Sequence, residues 1–322
     1  NTALYGGGLS GYGTYTLTQS AVISDNAGFQ GGGAYIFGGG RLVMMNESIV
    51  SNNVSSGGPL GSSQGGGIAN QGTVSLKHGA IYGNQAVNGP GGGLYNAAGG
   101  TATLDDALLL DNQAGQGSGG GLANLGAVTI TASAIISNVS LFSGGGISNT
   151  GSLSIANTTF SGNSAADSGA LFNNGAASLN YVTIASNFSE DGAGGLASTG
   201  ALSLTNTLLG DNGGGDFNDC AGTLTSLGHN LIEDMAGCTL AGPGGGDKLG
   251  VDPLLGPLQI QGGALSFHDL LDHSPAIDSA DPAACLPTDQ RGVARPIWVL
   301  CDIGAIETSS RPFLLFLPLV RR

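Results

Sequence analysis

Three series of residues recur along this chain at one shared, drifting interval, and that internal repeat limits the available folds more than any other feature. The first is asparagine preceded by an apolar residue three positions earlier: Asn26, Asn53, Asn84, Asn112, Asn138, Asn163, Asn187 and Asn212, spaced by 27, 31, 28, 26, 25, 24 and 25 residues. The second is aliphatic, Leu17, Met44, Leu76, Leu104, Ile130, Ile155, Leu179 and Leu204, spaced by 27, 32, 28, 26, 25, 24 and 25. The third is a glycine cluster, at 6–8, 31–33, 65–67, 91–93, 119–121 and 144–146, decaying to Ser168-Gly169-Ala170 and Ala193-Gly194-Gly195. Composition alone does not make three series drift in step.

Each unit contains short stretches that alternate with a period of two. Val128-Thr129-Ile130, Leu153-Ser154-Ile155 and Leu202-Ser203-Leu204 put aliphatics on one face and hydroxyls on the other. Helical periodicity is absent. Units of about 25 residues with three short strands predict an all-β chain, a parallel β-helix of about eight rungs spanning residues 1–215. One such rung cannot bury its own apolar face, so stacking supplies the core. At about 4.8 Å per rung, eight rungs make a rod segment roughly 40 Å long. Glycine suits the corners, where positive φ and close approach are needed. Equivalent asparagines can stack, each amide bonding its neighbours above and below. A second ladder is expected at Asn70, Asn96, Asn124, Asn149 and Asn173, giving way to Ser198. Sequons occur at Asn46, Asn53, Asn138, Asn157 and Asn187, three of them in the first series, which favours structural roles over glycan attachment. The stretch between Asn53 and Gly65 reads as a loop inserted at one corner.

Charge narrows the partners. The 61 glycines lack the every-third spacing of collagen, and 40% hydrophobic residues argue against a disordered chain. With a formal charge of −14 and only 8 basic residues, nucleic acid is not an expected partner. No apolar run reaches the roughly 20 residues of a membrane helix. The chain opens at Asn1 without a signal-peptide pattern, which fits either a removed leader or a trimmed sequence. Cys220, Cys238, Cys285 and Cys301 all lie in the last third, with no CxxC among them. Of three pairings, the nearest-neighbour disulfides Cys220–Cys238 and Cys285–Cys301 are expected, which places the chain in an oxidising, extracytoplasmic compartment.

The GGG[LI] and [ILVF]xxN signatures resemble right-handed β-helix repeats of bacterial surface proteins, including polymorphic outer-membrane proteins, over residues 1 to about 215. Further motifs follow in order: Asp219-Cys220, Ser226 to Ile232, Asp252 to Leu258, Ser274 to Asp278, Asp289 to Gly292, Arg295-Pro296 and Cys301 to Glu307. That ordered set is similar to the choice-of-anchor Q module at the end of secreted bacterial β-helix proteins, giving an end module at 216–309. The apolar tail at 310–322 resembles the FLPLV-type tails of secreted Chloroflexota proteins. The resemblance implies a right-handed coil and an extracellular or cell-surface location.

Parallel β-helices include enzymes, so a catalytic site is an alternative to a scaffold. Glycoside hydrolysis needs two facing carboxylates and lyase chemistry a base. The rungs carry two Lys or Arg side chains, Arg41 and Lys77, several rungs apart. Asp105, Asp106 and Asp111 are the only acids there grouped three together in sequence, and Asp105 and Asp106, as strand neighbours, are expected on opposite faces. His78, His229, His268 and His273 show no metal-ligand spacing, so surface or capping roles are expected of them. No catalytic residue is therefore assigned, and no cofactor. Calcium at Asp216, Asp219, Asp247 and Asp252 is the weaker alternative to turn capping. Asp289, Arg291, Arg295, Asp302 and Glu307 are expected to form a salt-bridged core in the end module. An ice-binding face would need a regular Thr-x-Thr array, which Lys77 and Asp105 interrupt. The reading that remains is a secreted structural solenoid whose partners are copies of itself, joined head to tail, with cell-surface polysaccharide as a further partner. Assembly is expected to use Leu4 and Tyr5 on the first rung and Phe313, Leu314, Leu315, Phe316 and Leu317 in the tail. The competing classes are a polysaccharide lyase or hydrolase and a non-catalytic polysaccharide-binding adhesin.

Overall fold

The computed structural model describes residues 1–19, 21–57, 63–242, 244–261 and 266–309. Among these there is no helix; the chain coils into a parallel β-solenoid of about nine turns. One rung shows the logic. Asn112 opens a two-residue strand, Gln113–Ala114; a glycine corner follows, then Leu122–Asn124, then the strands Ala127–Thr131 and Ala134–Ile136 on either side of a kink. The next rung repeats this with Val139–Ser140, Ile147–Asn149 and Ser152–Ser161.

The registers are those the repeat implies. Leu17, Met44, Leu76, Leu104, Ile130, Ile155, Leu179 and Leu204 pair one above another without a slip. From Met44 to Leu204 this row is almost fully buried, and it forms one continuous core with the apolar residues that precede the asparagines. Burying each Leu or Ile contributes about 1.5–3 kcal/mol, and only stacking achieves it.

Corners are marked by left-handed backbone. At the glycine corner the first residue has positive φ, as at Gly119 (φ 75°), while a Cβ on the second, Gly120, would lie 2.4 Å from the Gly145 carbonyl of the next rung. The second position therefore admits no side chain without moving a rung. The residue before each asparagine of the first series is also left-handed, for instance Asp111, Ser137 and Gly162. A third such row kinks the long strands: Gln19, Glu47, His78, Asp106, Ala132, Asn157, Tyr181, Asn206 and His229.

The stack passes residue 215. Cys220–Gly228 pairs with Leu196–Ser198 and Ala201–Thr205, Gly237–Ala241 adds a further strand, and Lys248–Leu249 pairs with Leu231–Ile232. The remaining described residues, with the antiparallel pair Leu255–Ile260 and Ser266–Leu270, turn back and lie on the flank of the last rungs. Part of the inserted loop after Asn53 and all of 310–322 lie outside the described residues.

Candidate functional site

Asparagine ladders hold the interior corners. Each amide nitrogen of the first series donates to the Oδ1 of the next asparagine, from Asn26 to Asn53 (3.0 Å) through Asn187 to Asn212 (2.9 Å). The same nitrogen also donates back to a carbonyl of the preceding rung, as Asn138 does to Leu109 at 3.0 Å. Every amide therefore points one way, and the row ends with an N–H that needs an acceptor. Asp219 supplies it, accepting from Asn212 at 2.9 Å. Burial pushes the Asp219 carboxyl up to about 6, with the bonds from Asn212 and the Asp234 backbone offsetting part of that shift. The second ladder runs from Asn70 through Asn96, Asn124, Asn149 and Asn173 to the Ser198 hydroxyl, as its spacing predicts. Asn53, Asn138 and Asn187 are buried in the first ladder, so their sequons are structural in this fold.

The cysteines pair as Cys220–Cys238 and Cys285–Cys301, with Cα atoms 5.4 and 6.1 Å apart. The first joins two successive rungs; the second lies within the end module.

That module seals the kink row over the last rungs. The Asn157 amide donates to the Thr288 carbonyl (2.8 Å), Thr159 to Gln290 (2.6 Å), and the Ser161 hydroxyl meets His268 Nε2 (2.9 Å). Arg295 lies over the Tyr181 ring at 4.3 Å, the Asp281 N–H donates to Asn206 Oδ1, and His229 reaches the Ser279 carbonyl. Beneath this contact Arg295 pairs with Glu307 (3.2 Å) and Arg291 with Asp289 (2.7 Å). Burial, followed by the Glu307 charge, raises Asp302 to about 7; burial lowers His268.

Over the earlier rungs the same row is exposed and charged. His78 pairs with Asp106, and Lys77 with Asp105 at 3.4 Å; Thr131 donates to Asp105. Gln19, Asn46, Glu47 and His78 line a hollow of about 390 Å³. Asp105 and Asp106 do not take opposite faces as strand alternation suggested. Left-handed backbone at Asp106 (φ 50°) interrupts the pleat, so both carboxylates reach solvent and each finds a partner on the preceding rung, Lys77 for Asp105 and His78 for Asp106. Of the aspartates considered for calcium, Asp219 caps the ladder. Asp247 accepts from Ser226 and Asn230, and Asp252 caps a turn at Leu254. Among the described residues no group of three or more His, Cys, Asp or Glu is arranged to hold a metal ion. No helix there is long and apolar enough to cross a membrane.

Of the assembly residues, Leu4 (63% exposed) and Tyr5 lie on the first rung; Phe313 to Leu317 lie outside the described residues. Both ends of the stack leave strands with a single neighbour among the described residues. Thr2–Tyr5, Leu9–Gly11 and Thr14–Leu17 pair only with the second rung, and Gly237–Ala241 only with the strand before it. Rows of the long sheet run from one end to the other, as the row starting at Thr16 does through Val43, Ser75 and Thr103 to Ser203, Thr225 and Ala241, whereas the sheet of short strands that starts at Thr2–Tyr5 ends earlier, at Phe188–Ser189. The core row that starts at Ile23 ends at Leu249. Ile23 is 8% exposed, whereas Leu249, in the same row, is 45% exposed. Compared with known proteins, the chain matches no family model, no curated protein and no solved structure.

Proposed function

We propose that this protein is an extracellular structural β-solenoid, a subunit of a fibre, sheath or stalk built by end-to-end stacking of copies. One observation carries the reading: Leu249 occupies a core row yet is exposed, with no further rung stacked on it among the described residues, and the same row starts at Ile23. An exposed parallel edge is a template for another strand, and solenoids that stay single normally cover theirs with a polar cap. A second copy placed on the last rung would set its Ile23 over Leu249 and its Thr16 over Ala241. The same operation repeated does not close, so it makes a filament. Two disulfides support an oxidising, extracytoplasmic setting. The ordered motifs of the last third support a choice-of-anchor Q-like end module; its described residues after 250 lie on the flank of the last rungs and add no rung to the stack. The test is sedimentation velocity over a concentration series. Wild type should associate, and Leu249→Asp should remain single; equal behaviour of the two at every concentration would sink the reading.

A second reading rests on the exposed charged corner. His78 with Asp106, beside Glu47 one rung away, offers a base and an acid along a surface on which a polysaccharide could lie. Turnover of pectin, alginate or chitin that is lost in Asp106→Asn would favour this enzyme over the scaffold. Binding without turnover would favour an adhesin.

A further inference from the structure

At the seam between the end module and the rungs, a hydroxyl faces a carboxamide in a buried site. Thr159, on the strand Ser152–Ser161, donates its hydroxyl to Gln290 Oε1 at 2.6 Å, and the two residues lie 131 positions apart. Thr159 has no measurable exposure and Gln290 is 3% exposed, so the pair is shut off from water. The C=O bond adds about 1.2 Å, which puts the threonine oxygen at most about 3.8 Å from the glutamine Cδ. That is close to the separation of about 3–3.5 Å at which a nucleophile is poised to attack.

Both partners are held in place. Gln290 Nε2 donates to the Ser266 carbonyl (3.0 Å), which fixes the amide with its oxygen toward Thr159. The Gln290 backbone N–H donates to the Ala305 carbonyl (2.9 Å), and two residues earlier the Thr288 carbonyl accepts from Asn157 (2.8 Å). Thr159 sits within its strand, paired with Ala134 on one side and Thr183 on the other. A base stands in the same seam. Ser161, two residues beyond Thr159, meets His268 Nε2 at 2.9 Å, and His268 is two residues beyond Ser266. His268 Nδ1 is 2.9 Å from the Gly256 carbonyl, which only accepts, so Nδ1 carries the proton and Nε2 is the free acceptor. Burial lowers His268, which keeps the ring neutral.

We infer that Thr159 and Gln290 become joined by an ester that rivets the end module to the rungs, the hydrogen-bonded pair being the state before reaction. Thr159 Oγ1 bonds to Gln290 Cδ, the Cδ–Nε2 bond breaks, and the hydroxyl proton departs with Nε2 as ammonia. The exchange needs no oxidant and no cofactor. Loss of ammonia drives it forward, and exclusion of water protects the ester from hydrolysis. The rungs to residue 215 contain no cysteine; Cys220–Cys238 joins two later rungs, and Cys285–Cys301 lies within the module. Neither disulfide ties the module to the strand Ser152–Ser161. The ester supplies that tie and keeps the flank from peeling away when a fibre or stalk is pulled. It forms within one chain and is independent of end-to-end stacking.

The test is the mass of the purified full chain after reduction of its disulfides, which should fall below the sequence mass by one ammonia. Trypsin cuts after Lys77, Lys248 and Arg291, so peptides 78–248 and 249–291 should stay joined although the bond between Lys248 and Leu249 is cleaved. Mild alkali, which opens esters and spares amides, should separate them. Thr159→Val and Gln290→Glu should each give two separate peptides. Succinimide formation at Asn88-Gly89 or Asn174-Gly175 also loses ammonia but joins no peptides, so the linked pair is the deciding readout. Wild type whose peptides 78–248 and 249–291 separate without alkali would overturn the proposal, and so would a link that survives in Thr159→Val or in mild alkali. Every readout is taken on single chains, so failure of stacking leaves this test intact.

Discussion

Replacing Asn138 by alanine tests the ladder where its bonding is complete. The Asn138 Oδ1 accepts from Asn112 twice, from the side-chain nitrogen (2.9 Å) and from the backbone N–H (3.0 Å). Its own nitrogen donates to Asn163 Oδ1 (3.0 Å) and to the Leu109 carbonyl (3.0 Å). Truncation removes all four bonds and leaves two donors on Asn112 facing a methyl group in a site with no measurable exposure. An orphaned buried donor costs about 1–3 kcal/mol, and Asn163 Oδ1 keeps its bond from the Asn138 N–H, so the expected loss is about 2–5 kcal/mol. Urea titration gives the total. Since rungs interact mainly with their neighbours, hydrogen exchange should place the damage at Asn112 and Asn163 and spare Asn26. Asn174→Ala, at an exposed turn, is the control and should stay within about 0.5 kcal/mol of wild type. If Asn138→Ala matched that control, the ladder would be decoration and the reasoning wrong.

Acid should stabilise this protein over part of its range. The folded chain holds Asp219 and Asp302 at about 6 and about 7, against an ordinary value of 3.8, so between roughly pH 4 and 7 it binds protons that the unfolded chain has released. These two carboxyls make stability fall as pH rises through that window, against the smaller opposite contribution of His268, which burial lowers, so a net loss of about 1 kcal/mol or more is expected between pH 5 and 8; Asp219→Asn should flatten the slope, and a stability maximum at pH 8 would contradict the assignment. Removing the Cys285–Cys301 link with paired serines should cost about 2–4 kcal/mol and raise exchange in the end module first, leaving the Asn26–Asn138 rungs unchanged; uniform loosening of the whole stack would count against a separate module. Ile130→Ala, in the middle of the aliphatic row, should cost about 2–5 kcal/mol by urea titration, and a loss under 1 kcal/mol would place Ile130 outside the core.

Repetition explains what was legible in the sequence. The aliphatic and asparagine rows could be aligned because each residue has the same neighbours one rung away, and their spacings reproduce the registers Leu104–Ile130–Ile155 without adjustment. Features that occur once had no such support. The end module meets the rungs through pairs such as Thr159–Gln290, 131 residues apart, and Thr183–Ala305, 122 apart, and nothing periodic announces them. The ladder cap is similar. Asp219 follows Asn212 by seven residues, inside a shortened turn, and its role appears only when the amides are seen to point one way. The charged corner was obscured by strand alternation, a rule that fails wherever left-handed residues such as Asp106 kink the strand.

Electron microscopy of the purified native protein, across a concentration series and with Leu249→Asp alongside, tests the assembly claim most directly. The account predicts unbranched filaments with a rise of about 4.8 Å per strand along the axis, continuous across subunit junctions, and their absence in the variant. Single rods of about nine turns at every concentration, identical in wild type and variant, would contradict it.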